Sequence, residues 1–430
     1  MIDPHWFEAS RFGLFVHWGL YAINAWHEHE QGKLKVPRQE YRRLAERFDP
    51  VDFDPEAWLD LMDEAGMKYL VFTAKHLDGF CMWDTQQTDY KITGTPFGRD
   101  VVAELAAACH RRGIVFCVYY CIVDYHHPNY PHQNRQFELD PQPGDEPDIE
   151  KYAAYVKEQI RELLTHYGDI GMVWWDANTP RHHDDSIHHM IRQLQPHCLI
   201  NERGFHDWSD PEARRKDGLV HLSEREYGTH GADSLAGSGR YPVRVEKCNS
   251  VDALSWGWKS DGDYHSARYL QTDLAKVMAR GGNYLLNVGP DATGRIPPEH
   301  AARLRRVGQW YRMAREALVG VEPVSDTVVN DKLSVSRRGN DLYLLLTTPP
   351  TVDSVRLPPI DFVPRQAVLL NTGRRLETKV DRIAAHMDHP YLRVRGLPVD
   401  ELADQLLVIK LSFDNLPEQL HRPVAEDQRV

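Results

Sequence analysis

The sequence predicts an α/β protein: a (β/α)8-type, TIM-like barrel followed by a C-terminal antiparallel β-sandwich. Short, continuously apolar runs alternate with amphipathic stretches from residue 12 to about 320, the pattern of a parallel sheet buried on both faces. About eight such units occur, and neither a GxGxxG turn nor a GxxxxGK[ST] loop is present, which favours a barrel over an open nucleotide-binding sheet. After about residue 322 the texture changes to short alternating runs separated by Gly, Pro and Asn/Asp turns. The expected division is a barrel over residues 1–322, a sandwich over 323–415 and a polar tail over 416–430.

The elements follow in order. "FGLFVHWGL" (12–20) reads as the first strand. "PEAWLDLMDEAG" (55–66) has helical spacing and a glycine stop, and "KYLVFTAKH" (68–76) is the second strand. A helix over 99–113 ends at Gly113 and leads to the strand "IVFCVYYC" (114–121). A long helix over 151–168 precedes the strand "GMVWWDA" (171–177), and a helix over 185–196 precedes "CLINERG" (198–204). "LVHLSEREY" (219–227) and "VRVEKCN" (243–249) read as strands. A helix at about 265–280 leads to the strand "NYLLNVGP" (283–290), and a last helix runs from about 298 to 318.

Composition narrows the function. A net charge of −12 argues against a nucleic-acid binder, which needs a basic face to displace counterions. No apolar run approaches the ~20 residues of a membrane span. The six cysteines form no CxxC pair and are expected as buried free thiols. With no basic segment leading into an apolar core at the N-terminus, a cytoplasmic protein is expected. Eleven Trp and 19 Tyr supply flat apolar faces with polar tips, which suit sugar sites and ordinary cores alike.

In barrels of this kind the catalytic groups sit at the C-terminal strand ends. Here those ends carry His17 and Trp18; His76 and Asp78; Tyr119, Tyr120 and Asp124; Trp174, Trp175 and Asp176; Asn201, Glu202 and Arg203; Glu224 and Glu226; Glu246; and Asn287. Each alone has a bland reading, such as a core histidine or an Asp–Gly turn at Asp78. Together they suggest one concave site holding imidazoles, carboxylates, an arginine and aromatic faces. Glycoside hydrolysis needs two carboxylates flanking the scissile bond and suits this inventory. Metal-assisted hydrolysis is the other candidate; His27 and His29 alternate in "AWHEHE", but no HExxH or complete ligand set is visible, and no metal or organic cofactor is expected.

Several motifs resemble the α-L-fucosidases of glycoside hydrolase family 29. "RFGLFVHWGLYAINAW" resembles that family's "FGxFxHWGxYSxPAW", and "LVFTAKHLDGFCMWDTQQTDY" its "AKHHDGFxxWxSxxTxY". "WWDA" falls where the family has "W-x-D-G", and "ARGGNYLLNVGPDATGRIP" resembles "GGNxLLNxGPxxDGxIP". The resemblance covers most of residues 6–320 and implies a retaining exo-glycosidase acting on oligosaccharides that end in α-L-fucose.

By that resemblance Asp176 is the nucleophile. The acid/base is assigned first to Glu224, then to Glu246 in "VEKCNSVDALSWGW", then to Glu226. His17, His76, Tyr120, Trp174, Arg203 and Trp256 match positions lining the sugar site, and Glu28 or Glu30 matches an acidic residue after the first strand. Leu77 departs from the family, which commonly has a second histidine there; this raises a different, fucose-related sugar, or sugar binding without turnover, as alternatives. A homo-oligomer is possible on this reading.

Overall fold

A computed structural model of the protein describes residues 2–131, 139–177, 182, 184–205, 219–223 (as backbone), 240–241, 244–324, 333–357, 360, 362–381, 390–418 and 420. The chain forms two compact units. The first takes in residues 1–229, 243–265 and 283–305, and the second 230–242, 266–282 and 306–430.

The first unit is built on strands β1 (Phe12–Val16), β2 (Tyr69–Lys75), β3 (Val115–Cys121), β4 (Met172–Asp176), β5 (Leu199–Ile200), β6 (Leu219–Ser223), β7 (Arg244–Ser250) and β8 (Asn283–Val288). They make one all-parallel sheet in the order β5-β4-β3-β2-β1-β8-β7-β6. The first and last strands are neighbours, with Phe12 opposite Tyr284 and Val16 opposite Val288.

Helices lie between the strands, and their ends follow local chemistry. Asp54, Asp100, Asp148 and Asp184 each accept a backbone N–H from the first turn that they cap. Gly66 and Gly113 end two helices in the left-handed conformation, at φ +80° and +66°. Sequence periodicity does not reveal the short helices Trp6–Ser10, Glu30–Lys33 and Arg38–Arg42, because four or five residues span too little of a helical repeat. β5 is shorter than the expected 198–204. Beyond Ile200 the Asn201 side chain replaces the ladder: its Oδ1 accepts from the Trp175 N–H at 2.7 Å and its Nδ2 donates to the Trp175 carbonyl at 2.9 Å.

Strand alternation sorts side chains to two faces. Phe15, Tyr69, Val71, Cys117, Tyr119, Cys121, Met172, Trp174, Leu199, Cys248 and Leu285 share one buried cluster. Their sequence neighbours face the helices instead: Tyr120 donates to Gln159 Oε1 on the Ile149–His166 helix at 2.6 Å. Lys75, fully buried, donates to Asp124 at 2.7 Å and to the Tyr152 hydroxyl at 3.0 Å, which anchors the end of β2. All six cysteines are buried thiols, and none is in a disulfide. Among the described residues no helix is long and apolar enough to cross a membrane.

The second unit holds the Ala267–Met278 helix and two antiparallel sheets. One runs in the order Arg374–Arg375, Gln366–Leu369, Val408–Ser412, Asp341–Leu345, Ser334–Arg338, Glu322–Pro323. The other runs Ser354–Leu357, Tyr391–Arg395, Glu377–Asp381. Both contribute to one core: Leu342, Leu344, Ile409 and Leu411 from the first meet Leu357, Leu392 and Val394 from the second.

Gly13 is required by packing. A Cβ at this position would lie 2.4 Å from Cζ of Tyr69, whose ring crosses the interior of the sheet above it. Gly13→Ala is expected to destabilise the protein by about 1–3 kcal/mol, the usual penalty of forcing volume into a filled core, measured as a lower denaturation midpoint at unchanged m.

Candidate active site

Asp176 is the last residue of β4, opposite Cys121 on β3. Its side chain is 25 % exposed, so it opens to solvent from an otherwise buried neighbourhood. Oδ2 accepts from the Tyr119 hydroxyl at 2.6 Å, with the Cys121 thiol at 3.8 Å. Oδ1 accepts from the Ala177 N–H at 2.9 Å and from Arg203 Nη1. Ala177 reaches this position at φ +60°, a conformation an L-residue adopts at a cost of about 1 kcal/mol, where the resembled family has glycine. Burial alone would raise the Asp176 carboxyl; the Arg203 guanidinium and the Tyr119 hydroxyl outweigh it and hold it down at about 2. The carboxylate is therefore ionised and fixed in orientation.

Three histidines face it. His17 stacks on Trp256 at 5.3 Å between centroids, and His76 stacks on Tyr119 at 5.7 Å. His17 meets His76 edge-on at 5.6 Å, and His29 meets His76 at 5.8 Å. Burial pushes His17 down to about 4 and His76 well below its ordinary value, and lowers His29, although Glu28 and Asp176 pull all three the other way. They are neutral at pH 7. The His17 tautomer follows from its partner. Asn287 Nδ2 donates to the Ser250 hydroxyl and the Trp256 carbonyl, so its Oδ1 is the acceptor 2.7 Å from His17 Nδ1. Nδ1 carries the proton and Nε2 is left as an acceptor. His76 Nδ1 is buried with no hydrogen-bond partner among the described residues. Neutral imidazoles of this kind suit sugar hydroxyls, which both donate and accept.

Glu28 holds the far wall. Its Oε2 accepts from the Ser255 hydroxyl at 2.5 Å and from the backbone N–H groups of Trp256 and Gly257 at 3.0 and 3.1 Å. Burial would raise this carboxyl; the His29 and His27 rings and the Ser255 hydroxyl keep it well below the usual range. Glu28 thus places Trp256 over His17.

The structure brings His17, Glu28, His76, Trp174, Asp176, Arg203 and Trp256 together, with Asn287 and Tyr119 added. Tyr120 is a correction. It faces the helix layer, and the tyrosine touching the carboxylate is its neighbour Tyr119. The run "VYYC" offers two tyrosines on opposite faces, and only the register of β3 against β4, with Cys121 opposite Asp176, selects between them. Glu246 is sealed in the interior: Oε1 accepts from the Tyr69 hydroxyl at 2.7 Å and Oε2 from Trp174 Nε1 at 2.9 Å. Asp78 makes the local turn its Gly79 neighbour suggests, its Oδ1 accepting from the Phe80 N–H at 3.1 Å. Glu224 and Glu226 lie outside the described residues. Leu77 is buried in an apolar cluster that includes Cys121, Tyr125 and Leu139. Among the described residues no three His, Cys, Asp or Glu side chains converge as a metal-binding group.

An ionised carboxylate, neutral imidazoles and aromatic faces at the strand ends of a parallel sheet are groups that glycoside hydrolysis uses. The α-L-fucosidase family model matches residues 2–316, and the chain belongs to that family. It is 29% identical over 348 residues to tissue α-L-fucosidase of Rattus norvegicus, covering 74% of this chain and 70% of that one. It is 27% identical over 350 residues to the Homo sapiens tissue enzyme, again covering 74% and 70%. Among solved structures, α-L-fucosidase isoenzyme 1 from Paenibacillus thiaminolyticus superposes with a TM-score of 0.78 at 32% identity, covering 96% of this chain and 99% of that one. A trapped covalent intermediate of a GH29 α-L-fucosidase from Bacteroides thetaiotaomicron shares the fold, with a TM-score of 0.76 at 23% identity over 96% of both chains.

Arg203→Leu removes the strongest influence holding Asp176 ionised, so the carboxyl is expected to rise by about one pH unit or more, read by 13C carboxyl NMR titration. The sign for stability follows. The depressed Asp176 contributes stability above its unfolded value of about 3.8, and that contribution is lost as pH falls toward about 2; the variant lacks this loss.

Proposed function

We propose that the protein is a retaining, exo-acting α-L-fucosidase with Asp176 as nucleophile. The observation that carries the reading is the pair of oxygens on Asp176, one set by Arg203 and the other by Tyr119, at the open end of a rigid strand. Asp176 attacks the anomeric carbon as the glycosidic bond breaks, giving a glycosyl ester on its carboxylate. The leaving oxygen takes a proton from a glutamate, which we assign to Glu224 on its place in the sequence directly after β6. The same glutamate then deprotonates a water that opens the ester, with net retention. His17 Nε2 accepts a hydrogen bond from a ring hydroxyl, His76 bonds another, and Trp174 and Trp256 pack on the apolar faces of the sugar. We further read the parallel sheet as a (β/α)8-type barrel and the two antiparallel sheets as a β-sandwich, with the domain boundary near residue 322.

A second reading keeps this machinery and changes the sugar. Leu77, packed among apolar side chains, neither donates nor accepts a hydrogen bond in the wall that includes Cys121 beside Asp176. A panel of p-nitrophenyl glycosides separates the readings: preference for a galactose-configured or other deoxy sugar over α-L-fucose would favour the second.

Wild type is expected to hydrolyse p-nitrophenyl α-L-fucoside equally with and without EDTA, releasing α-L-fucose first by 1H NMR. Asp176→Ala should lose about 10³-fold or more in kcat, with azide restoring turnover as the β-fucosyl azide. Glu224→Ala should lose roughly 10²–10⁴-fold on poor leaving groups and much less on activated ones. A folded wild type inert toward every fucoside would overturn the assignment.

A further inference from the structure

We propose that Glu246 is a positioning residue for the nucleophile: its carboxyl group, enclosed by the sheet, fixes the Trp174 indole and through it the Tyr119 hydroxyl that holds Asp176. The inference rests on the reading of Asp176 as nucleophile given above.

Glu246 lies on β7 opposite Asn283 of β8 and is 1% exposed. Its two oxygens accept from Tyr69 on β2 and Trp174 on β4. None of these three strands is adjacent to another of them in the sheet. One carboxyl therefore ties together strands that the backbone ladder does not connect directly. Its surroundings are those of a hydrophobic core, with Tyr69, Cys117, Trp174, Cys248 and Leu285 in the same cluster. An apolar side chain there would avoid the desolvation penalty but would leave the Trp174 N–H and the Tyr69 hydroxyl buried without this acceptor.

The bond to Trp174 reaches the reacting carboxylate in two contacts. Trp174 stacks on Tyr119 with centroids 5.4 Å apart and planes 22° apart. Tyr119 donates to Asp176 Oδ2. The Arg203 guanidinium, which donates to Oδ1, lies 5.6 Å from the Trp174 ring. The indole thus touches the partners of both Asp176 oxygens. Its one polar atom, Nε1, determines how it sits, and Glu246 receives that bond. A role as proton donor to the leaving group conflicts with this placement, since both carboxyl oxygens are engaged below Trp174 and no part of the group opens to the pocket.

Protonation adds a signature. Burial raises the Glu246 carboxyl to about 7, against the pull of the Tyr69 and Trp174 bonds and with a further push from Glu202. Cys117 on β3 also faces it. As the group ionises, its bond to Trp174 strengthens as a charge-assisted hydrogen bond.

The test uses the full chain, Glu246→Leu and Glu246→Gln, and aryl α-L-fucosides with activated and poor leaving groups. Glu246→Leu is expected to lose about tenfold or more in kcat on both substrates alike, with KM within about threefold and no acceleration by azide. Glu246→Gln keeps an acceptor for Trp174 Nε1 and should recover most of that loss, with any inflection of kcat near pH 7 removed. Selective loss on the poor leaving group, or azide rescue, would make Glu246 the acid/base and overturn the proposal. A Leu variant with wild-type kcat would reduce Glu246 to packing. If the Leu variant fails to fold, Trp174→Phe removes the donor and keeps the acid; its loss should be leaving-group-independent and nearly unchanged by adding Glu246→Gln, whereas additive losses would overturn the coupling. If wild type turns over no fucoside, the functional reading has failed. Calorimetric binding of a fucose-configured iminocyclitol then tests the positioning: about tenfold weaker binding to the Leu variant supports it, and equal affinity overturns it.

Discussion

The pairing of Arg203 with Asp176 is the constraint on which the site depends. Burial pushes a carboxyl at a strand end upward, and Arg203 is the largest of the influences that hold Asp176 down and ionised. Arg203 lies three residues beyond the end of β5 at Ile200, where Trp175 no longer has ladder bonds from that strand. The Asn201 amide supplies them with its own donor and acceptor. The irregular backbone and the ionised carboxylate are thus two parts of one arrangement, and Ala177 at positive φ is a third, turning its N–H back onto Asp176 Oδ1.

Around that ion pair the pocket is electrically quiet. Glu28 spends its charge on backbone and hydroxyl donors of the 255–257 segment, and the three imidazoles are kept neutral by burial. A neutral, hydroxyl-rich ligand meets neutral donors and acceptors, aromatic faces and one carboxylate whose counter-charge is already bound. An anionic ligand would find Arg203 engaged, and a cationic one would compete with it.

Much of this was legible in the sequence, for a definite reason. Parallel strands buried on both faces leave continuous apolar runs, and the polar residue ending each run is brought to the same edge by topology alone; Asp176, His17, His76 and Arg203 follow from that. What period cannot tell is the face. Tyr119 and Tyr120 are equivalent as letters, and Glu246 looks like a strand-end acid until its register opposite Asn283 shows it three residues into a seven-residue strand. Asn287 was visible at a strand end, but its action through His17 depends on a contact between β1 and β8, 270 residues apart in sequence. Glu28 was found by resemblance, and its work on a distant loop has no local signal.

The proton donor is subject to the same constraint. Asp176, Glu28 and Glu246 each spend their oxygens on named donors. Asp176 is ionised, Glu28 is held by three donors and Glu246 lies beneath Trp174, whereas Asp78 closes its own turn with one oxygen and burial raises its carboxyl to about 7. Under the proposed assignment the strand ends fix the nucleophile, and the donor comes from a segment following a strand. Glu224 directly follows Ser223, the last residue of β6, as Ala177 follows Asp176 at the end of β4. Parallel strands bring the ends of β4 and β6 to the same edge of the sheet, and the proposed assignment of Glu224 rests on its sequence position there.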